Sequence, residues 1–99
     1  MFRHLVRQDV KFGEFREFVA ALKEFNALTA SFGLPQYRAW TSAFGGLNEV
    51  WTEAEYENFD AHVAAWDKAG ENEEFMAAFR KIGSHIRSGQ DWPLSPLDL

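Results

Sequence analysis

Residues 38–53 read Arg38-Ala-Trp-Thr-Ser-Ala-Phe-Gly45-Gly46-Leu-Asn-Glu-Val-Trp-Thr-Glu53. Two runs rich in aromatic and β-branched residues flank a Gly-Gly pair, the pattern of two strands joined by a two-residue type I′ turn. A turn at Gly45-Gly46 sets the register by arithmetic, because paired residue numbers then sum to 91. Phe44 faces Leu47, Ser42 faces Glu49, Trp40 faces Trp51 and Arg38 faces Glu53 on one side. Ala43 with Asn48, Thr41 with Val50, Ala39 with Thr52 and Tyr37 with Ala54 share the other. The second face is small and suits close approach of helices. The first carries two indoles between opposite charges and needs another cover. A second sheet from a second subunit is the economical one, with Arg38, Trp40, Phe44 and Trp51 at the interface of a homodimer.

Upstream, Phe2 to Val10 alternates: Phe2, His4, Val6 and Val10 point one way and Arg3, Leu5, Arg7 and Asp9 the other, which predicts a strand. From Glu14 to Phe32 the period changes. Phe15, Phe18, Val19, Leu22, Phe25, Thr29 and Phe32 make one helical stripe, with Glu14 and Glu17 at the favourable end of the dipole. Gly33 suits a left-handed stop and Pro35 prevents resumption. The first hairpin strand spans Gln36 to Phe44, and the second Leu47 to about Glu55.

Downstream, Asn58 caps a short helix marked by Phe59, His62, Val63 and Trp66 and ended near Gly70. Asn72 caps a longer one with the stripe Phe75, Met76, Phe79, Ile82, Gly83 and Ile86, closed by Gly89. Residues 90–99 hold Pro93 and Pro96 and are expected as a short edge strand or a C-terminal arm. The order is βαββα(α)β in a single domain over 1–99. That is the α+β, ferredoxin-like split plan, an antiparallel sheet with helices on one face.

Composition narrows the function classes. The chain has 99 residues, 46% hydrophobic and 16% aromatic, with no cysteine. A disordered segment, a disulfide framework and a thiol nucleophile are thereby excluded. Ten Lys and Arg against fifteen Asp and Glu give a formal charge of -5, with the acids concentrated from Glu53 to Glu74. Without a basic run, neither nucleic acid nor an anionic membrane surface is an expected partner. Arg3, Arg7 and Lys11 interrupt the N-terminal apolar positions, and no apolar run reaches membrane-spanning length. The expectation is a cytoplasmic protein. So many aromatic side chains exceed what one small core conveniently hides, so some apolar surface should meet a partner subunit or a ligand.

Several features together resemble the dimeric α+β barrel superfamily and, within it, the NIPSNAP-like branch. They are the N-terminal strand with Gly13 opening an amphipathic helix, the string Gly45-x-Leu47-Asn48-x-Val50, Tyr56 before the next helix, and the two-part helical segment. The resemblance implies two sheets facing each other with helices outside, hence a homodimer, and a small-molecule ligand held between sheet and helices. It implies a fold and a dimer more firmly than a reaction. Neighbouring branches include cofactor-independent monooxygenases, stress-responsive barrel proteins and haem-degrading enzymes. The family is usually arginine-rich after the hairpin, whereas Glu53, Glu55, Glu57 and Asp60 are acidic here, which disfavours an anionic ligand.

Candidate chemistry is sparse. His4, His62 and His85 are scattered, with no His-x-x-x-His or Glu-x-x-His pair, so no metal site and no cofactor are expected. His4 and His62 fall on or beside apolar faces and, if they meet in a pocket, suit acid/base work. His85 has polar neighbours and reads as surface. A ligand pocket is expected to draw on Asn48, Tyr37 and Trp66, Asn48 orienting a carbonyl or hydroxyl. The leading expectation is therefore a small-molecule-binding homodimer. The alternative is a cofactor-independent monooxygenase or isomerase acting on an aromatic or polyketide-like molecule, with His4 or His62 moving a proton. No Gly-x-Ser-x-Gly elbow or phosphate loop is present.

Overall fold

The computed structural model describes residues 1–41 and 48–97. The elements run β1 (Phe2–Val10), α1 (Phe15–Ser31), β2 (Arg38–Thr41), β3 (Glu49–Tyr56), α2 (Phe59–Gly70), α3 (Glu73–Gly83) and β4 (Ile86–Leu94). The four strands form one antiparallel sheet in the order β2-β3-β1-β4. This is the ferredoxin-like α+β plan, with the helices packed on one sheet face. The hairpin register is the one deduced from the glycine pair: Arg38 pairs with Glu53, Ala39 with Thr52, Trp40 with Trp51 and Thr41 with Val50. The turn itself, Phe44 included, lies outside the described residues.

Each helix begins and ends for a local reason. Asn58 and Asn72 accept the backbone N–H groups of Ala61 and Phe75, satisfying donors that the first helical turn leaves free. Gly33 takes φ 73°, the left-handed conformation that stops α1. The aromatic stripe of α1 and α3 lies against β1 and β3. Phe18 and Phe75 are fully buried, and Phe25 sits 5.2 Å from Phe75, ring centre to ring centre. Val50, Thr52 and Ala54 give the helices a small surface to approach. That surface is narrower than the hairpin pattern predicts, because Ala39 and Thr41 on β2 are exposed. Among the described residues, no helix is long and apolar enough to cross a membrane.

The C-terminal region departs from expectation. α3 stops at Gly83 rather than Gly89, and Ile86–Leu94 becomes a nine-residue strand on the free edge of β1. The reason is long-range pairing. The His85 carbonyl accepts the Lys11 N–H, and Ile86 turns in against Val10. A register irregularity follows at once, so Ser88 pairs with Asp9 and the rest of β4 is offset by one. Such a bulge reverses which face each side chain occupies. It puts Ile86 on the helix side while Trp92 crosses to the other, and so hides a period of two. Gly89 is needed in the strand: a Cβ there would stand 2.9 Å from the Arg7 carbonyl oxygen. Pro93 is tolerated because β4 is a sheet edge.

The face away from the helices is aromatic and ion-paired. Trp51 stacks on Trp92 across β1, with ring centres 5.3 Å apart and planes 13° from parallel. Trp40 is 49% exposed, with the Arg38 guanidinium over its ring. Glu53, buried on this face, accepts from Arg38 at 2.7 Å and lies 3.5 Å from Arg3, which also donates to Glu55.

Candidate functional site

A cavity of about 920 Å³ lies between the sheet and the helices. Its floor is the inward face of β1, which alternation hands to His4, Val6 and Gln8, together with Thr52 of β3. α1 contributes Leu22 and Phe25, and α2 contributes His62 and Trp66, four residues apart and so on one helical face. α3 closes one side with Phe79 and Ile82, and β4 the other with Ile86, Gly89 and Asp91. Tyr37, just before β2, completes the wall.

One end of the cavity is a hydrogen-bond chain of side chains. An indole N–H can only donate, so Trp66 Nε1 donates to the Tyr56 hydroxyl, at 3.0 Å. The Tyr56 hydroxyl lies 3.2 Å from that of Tyr37, which in turn lies 2.6 Å from His4 Nδ1. His4 Nε2 faces the Asp91 carboxylate 3.6 Å away. Burial pushes the Tyr37 phenol well above the ordinary tyrosine range, and its hydrogen bond to Tyr56 pushes the same way. Tyr37 therefore acts as a fixed hydroxyl and not as an acid near neutral pH.

His62 stands beside this chain and outside it. Its ring lies 4.9 Å from that of His4, 4.7 Å from Tyr56 and 5.0 Å from Phe2, centre to centre. Both ring nitrogens are buried without a partner. Burial holds its pKa below the usual histidine value, and the neighbouring His4 lowers it further. At the other end of the floor, Gln8 Nε2 donates to Thr52 Oγ1 at 3.1 Å, while Gln8 Oε1 is buried with no donor.

The predicted site residues are thus divided. His4, His62, Tyr37 and Trp66 meet around one cavity. Asn48 does not line it. Asn48 adopts φ 60° at the start of β3, a left-handed conformation that asparagine tolerates, and its carbonyl accepts the Val10 N–H. Arg38, Trp40 and Trp51 lie on the opposite face of the sheet. His85 is half-buried and not a surface group, with its Nδ1 2.8 Å from Glu14 Oε1. Gln8 and Asp91 were missed. Gln8 has the same parity on β1 as His4, Val6 and Val10, and that signal places it inside. Asp91 depends on the β4 register, which no local pattern reveals. Among the described residues no three histidine or carboxylate groups gather as a metal site.

Comparison with known proteins fits this architecture. The NIPSNAP family model matches residues 5–98. The chain belongs to the NIPSNAP family. Within the family, an uncharacterized NIPSNAP domain protein from Burkholderia xenovorans is 17% identical, with a TM-score of 0.83 over 98% of this chain and 95% of that one. A NIPSNAP family protein from Agrobacterium tumefaciens is 18% identical, with a TM-score of 0.84 over 98% and 93%. A putative antibiotic biosynthesis monooxygenase from Nitrosomonas europaea shares the fold at 12% identity, with a TM-score of 0.76 over 99% of this chain and all of the other. No curated protein sequence matches.

Proposed function

We propose that this NIPSNAP protein binds a small, largely apolar molecule in the cavity between sheet and helices, and does so as a homodimer. The observation that carries the reading is the cavity. At about 920 Å³ it falls within the range of small-molecule sites, and aromatic and aliphatic walls surround a few polar groups. The dimer reading rests on the opposite face. Trp40, the Trp51–Trp92 stack and Leu94 form an apolar band there that a second sheet would cover. A chain without cysteine has no disulfide to form and so needs no oxidising compartment, and the reading puts the protein in the cytoplasm.

Native mass spectrometry of freshly purified protein tests both parts. A dimer that sheds a bound mass on denaturation is expected. A monomer contradicts the sheet-face interface, and a dimer that never gains mass with any small molecule contradicts the binding reading.

A second reading has one specific observation in its favour: His4 and His62 stand side by side on the cavity wall, and His62 is held neutral by burial. A neutral imidazole there accepts a proton from an aromatic or polyketide-like substrate, as a cofactor-independent monooxygenase or isomerase requires. His62→Gln would then abolish turnover while leaving ligand affinity within a few-fold. Equal turnover in the variant contradicts a catalytic His62.

A further inference from the structure

Resting on the binding reading, we infer that the cavity selects an uncharged, elongated aromatic molecule carrying a hydrogen-bond donor at each end, one for Gln8 and one for His62. A buried polar atom without a partner is uncommon in a native fold, because leaving it dry costs about 1–3 kcal/mol. This cavity has such atoms at two separate places. Gln8 is only 8% exposed, its Nε2 is committed to Thr52, and its Oε1 accepts from nothing. If the amide is turned over, the orphan is the NH2 group, and one end remains unsatisfied either way. His62 holds both ring nitrogens buried and without a protein partner. As a neutral ring it offers one acceptor and one donor.

Their spacing sets the length of the guest. His62 packs on Phe2 and His4, at the start of β1, whereas Gln8 lies four residues beyond His4 on the same strand. Four residues of strand extend roughly 13 Å, so the two orphans stand on the order of 10 Å apart. Between them the lining is apolar: Val6 below, with Leu22, Phe25, Trp66 and Phe79 opposite. A molecule two rings long spans that distance, with its hydroxyls beside the two orphans and its rings among Val6 and the aromatic side chains.

Charge excludes the other ligand classes of that size. The charged lining groups are Arg80 and Asp91, both well exposed, and Arg80 is already paired with Glu73. Neither orphan carries a charge of its own, so an anionic end would be buried without a counter-ion at a cost far above what one hydrogen bond returns. Hydroxyl groups meet both orphans: each donates to Gln8 Oε1 or to the imidazole acceptor and still accepts from the imidazole N–H.

The test is a matched series measured by calorimetry on the intact protein. The probes are biphenyl with a para hydroxyl at each end, with one such hydroxyl, with none, and with a carboxylate at each end. The expected order places the diol about ten-fold or more tighter than the mono-alcohol, the same step again above biphenyl, and no binding of the dicarboxylate. In Gln8→Leu the diol falls to the affinity of the mono-alcohol. His62→Phe does the same, and without ligand it raises the melting temperature because the unpaired buried nitrogens are gone. Equal affinity for biphenyl and the diol, or preference for the dicarboxylate, overturns the ligand class and leaves a binding cavity. Failure of every probe to bind overturns the binding reading as well. The wild-type series decides these outcomes even if a variant does not fold.

Discussion

Replacing Tyr37 with Phe removes one oxygen atom from the centre of the cavity's hydrogen-bond chain. The hydroxyl lies 2.6 Å from His4 Nδ1 and 3.2 Å from the Tyr56 hydroxyl, inside a residue that is nearly fully buried. The ring keeps its packing against His4 and Phe25. The change therefore isolates two buried hydrogen bonds. Each contributes about 0.5–1.5 kcal/mol net, and His4 Nδ1 is left dry, so the loss is about 2 kcal/mol. Unfolding entropy near 2.1 cal/mol/K per residue converts this, for a 99-residue chain, to a fall of about 10 °C in melting temperature. Urea unfolding followed by circular dichroism gives the free energy, with the slope unchanged because the surface exposed is the same. Tyr56→Phe breaks the same chain one link away and removes the acceptor of the Trp66 N–H. The double variant should then lose less than the sum of the singles, since both singles share the Tyr37–Tyr56 bond. Strict additivity, or a Tyr37→Phe protein within about 0.5 kcal/mol of wild type, refutes the hydrogen-bond chain.

Other perturbations reach the rest of the account. Gly89→Ala pushes a Cβ against the Arg7 carbonyl and should destabilise by about 1–3 kcal/mol in urea titration, and an unchanged midpoint contradicts the tight β1–β4 approach. His62 has a folded pKa below its unfolded value of about 6.5, mainly through burial, so above that pH neither state is protonated and nothing changes. As pH falls below 6.5 the unfolded chain binds the proton first, and the native state loses stability until it too titrates. The wild type should thus lose more stability than His62→Phe between pH 7 and 5, and parallel losses contradict a neutral buried ring. Trp40→Glu places a charge in the outer apolar band and should turn a sedimenting dimer into a monomer. A dimer that survives the change moves the interface elsewhere.

What could be read from the sequence was governed by the range of the interactions. Asn58 and Asn72 are legible caps because a cap bonds to residues three positions away. The pairing of Trp40 with Trp51 is legible because the Gly45-Gly46 pair stands midway between them in the sequence. A closing edge strand was legible, but its start at Ile86 and its register were not, because its partner β1 lies some eighty residues earlier and the irregularity near Arg87 breaks the alternation. Gly89 then reads as a helix stop, when in fact it permits the backbone of β4 to lie against that of β1. The candidate site shows the same division. Parity along β1 and helical spacing along α2 put His4, His62 and Trp66 on inward faces. The hydroxyl chain through Tyr37 and Tyr56 depends on three elements meeting, and Gln8 Oε1 is conspicuous only once it is seen to be buried with no protein donor.

The four tryptophans allow the central claim to be tested in one experiment. Trp66 lines the cavity, whereas Trp40, Trp51 and Trp92 lie on the other face of the sheet. With 15N-labelled protein, the four indole N–H signals can be followed as the biphenyl diol is titrated. A molecule bound between sheet and helices should move the Trp66 signal, through its hydrogen bond to Tyr56, and leave the other three in place. Movement of the outer tryptophans with Trp66 unmoved would contradict the cavity as the binding site.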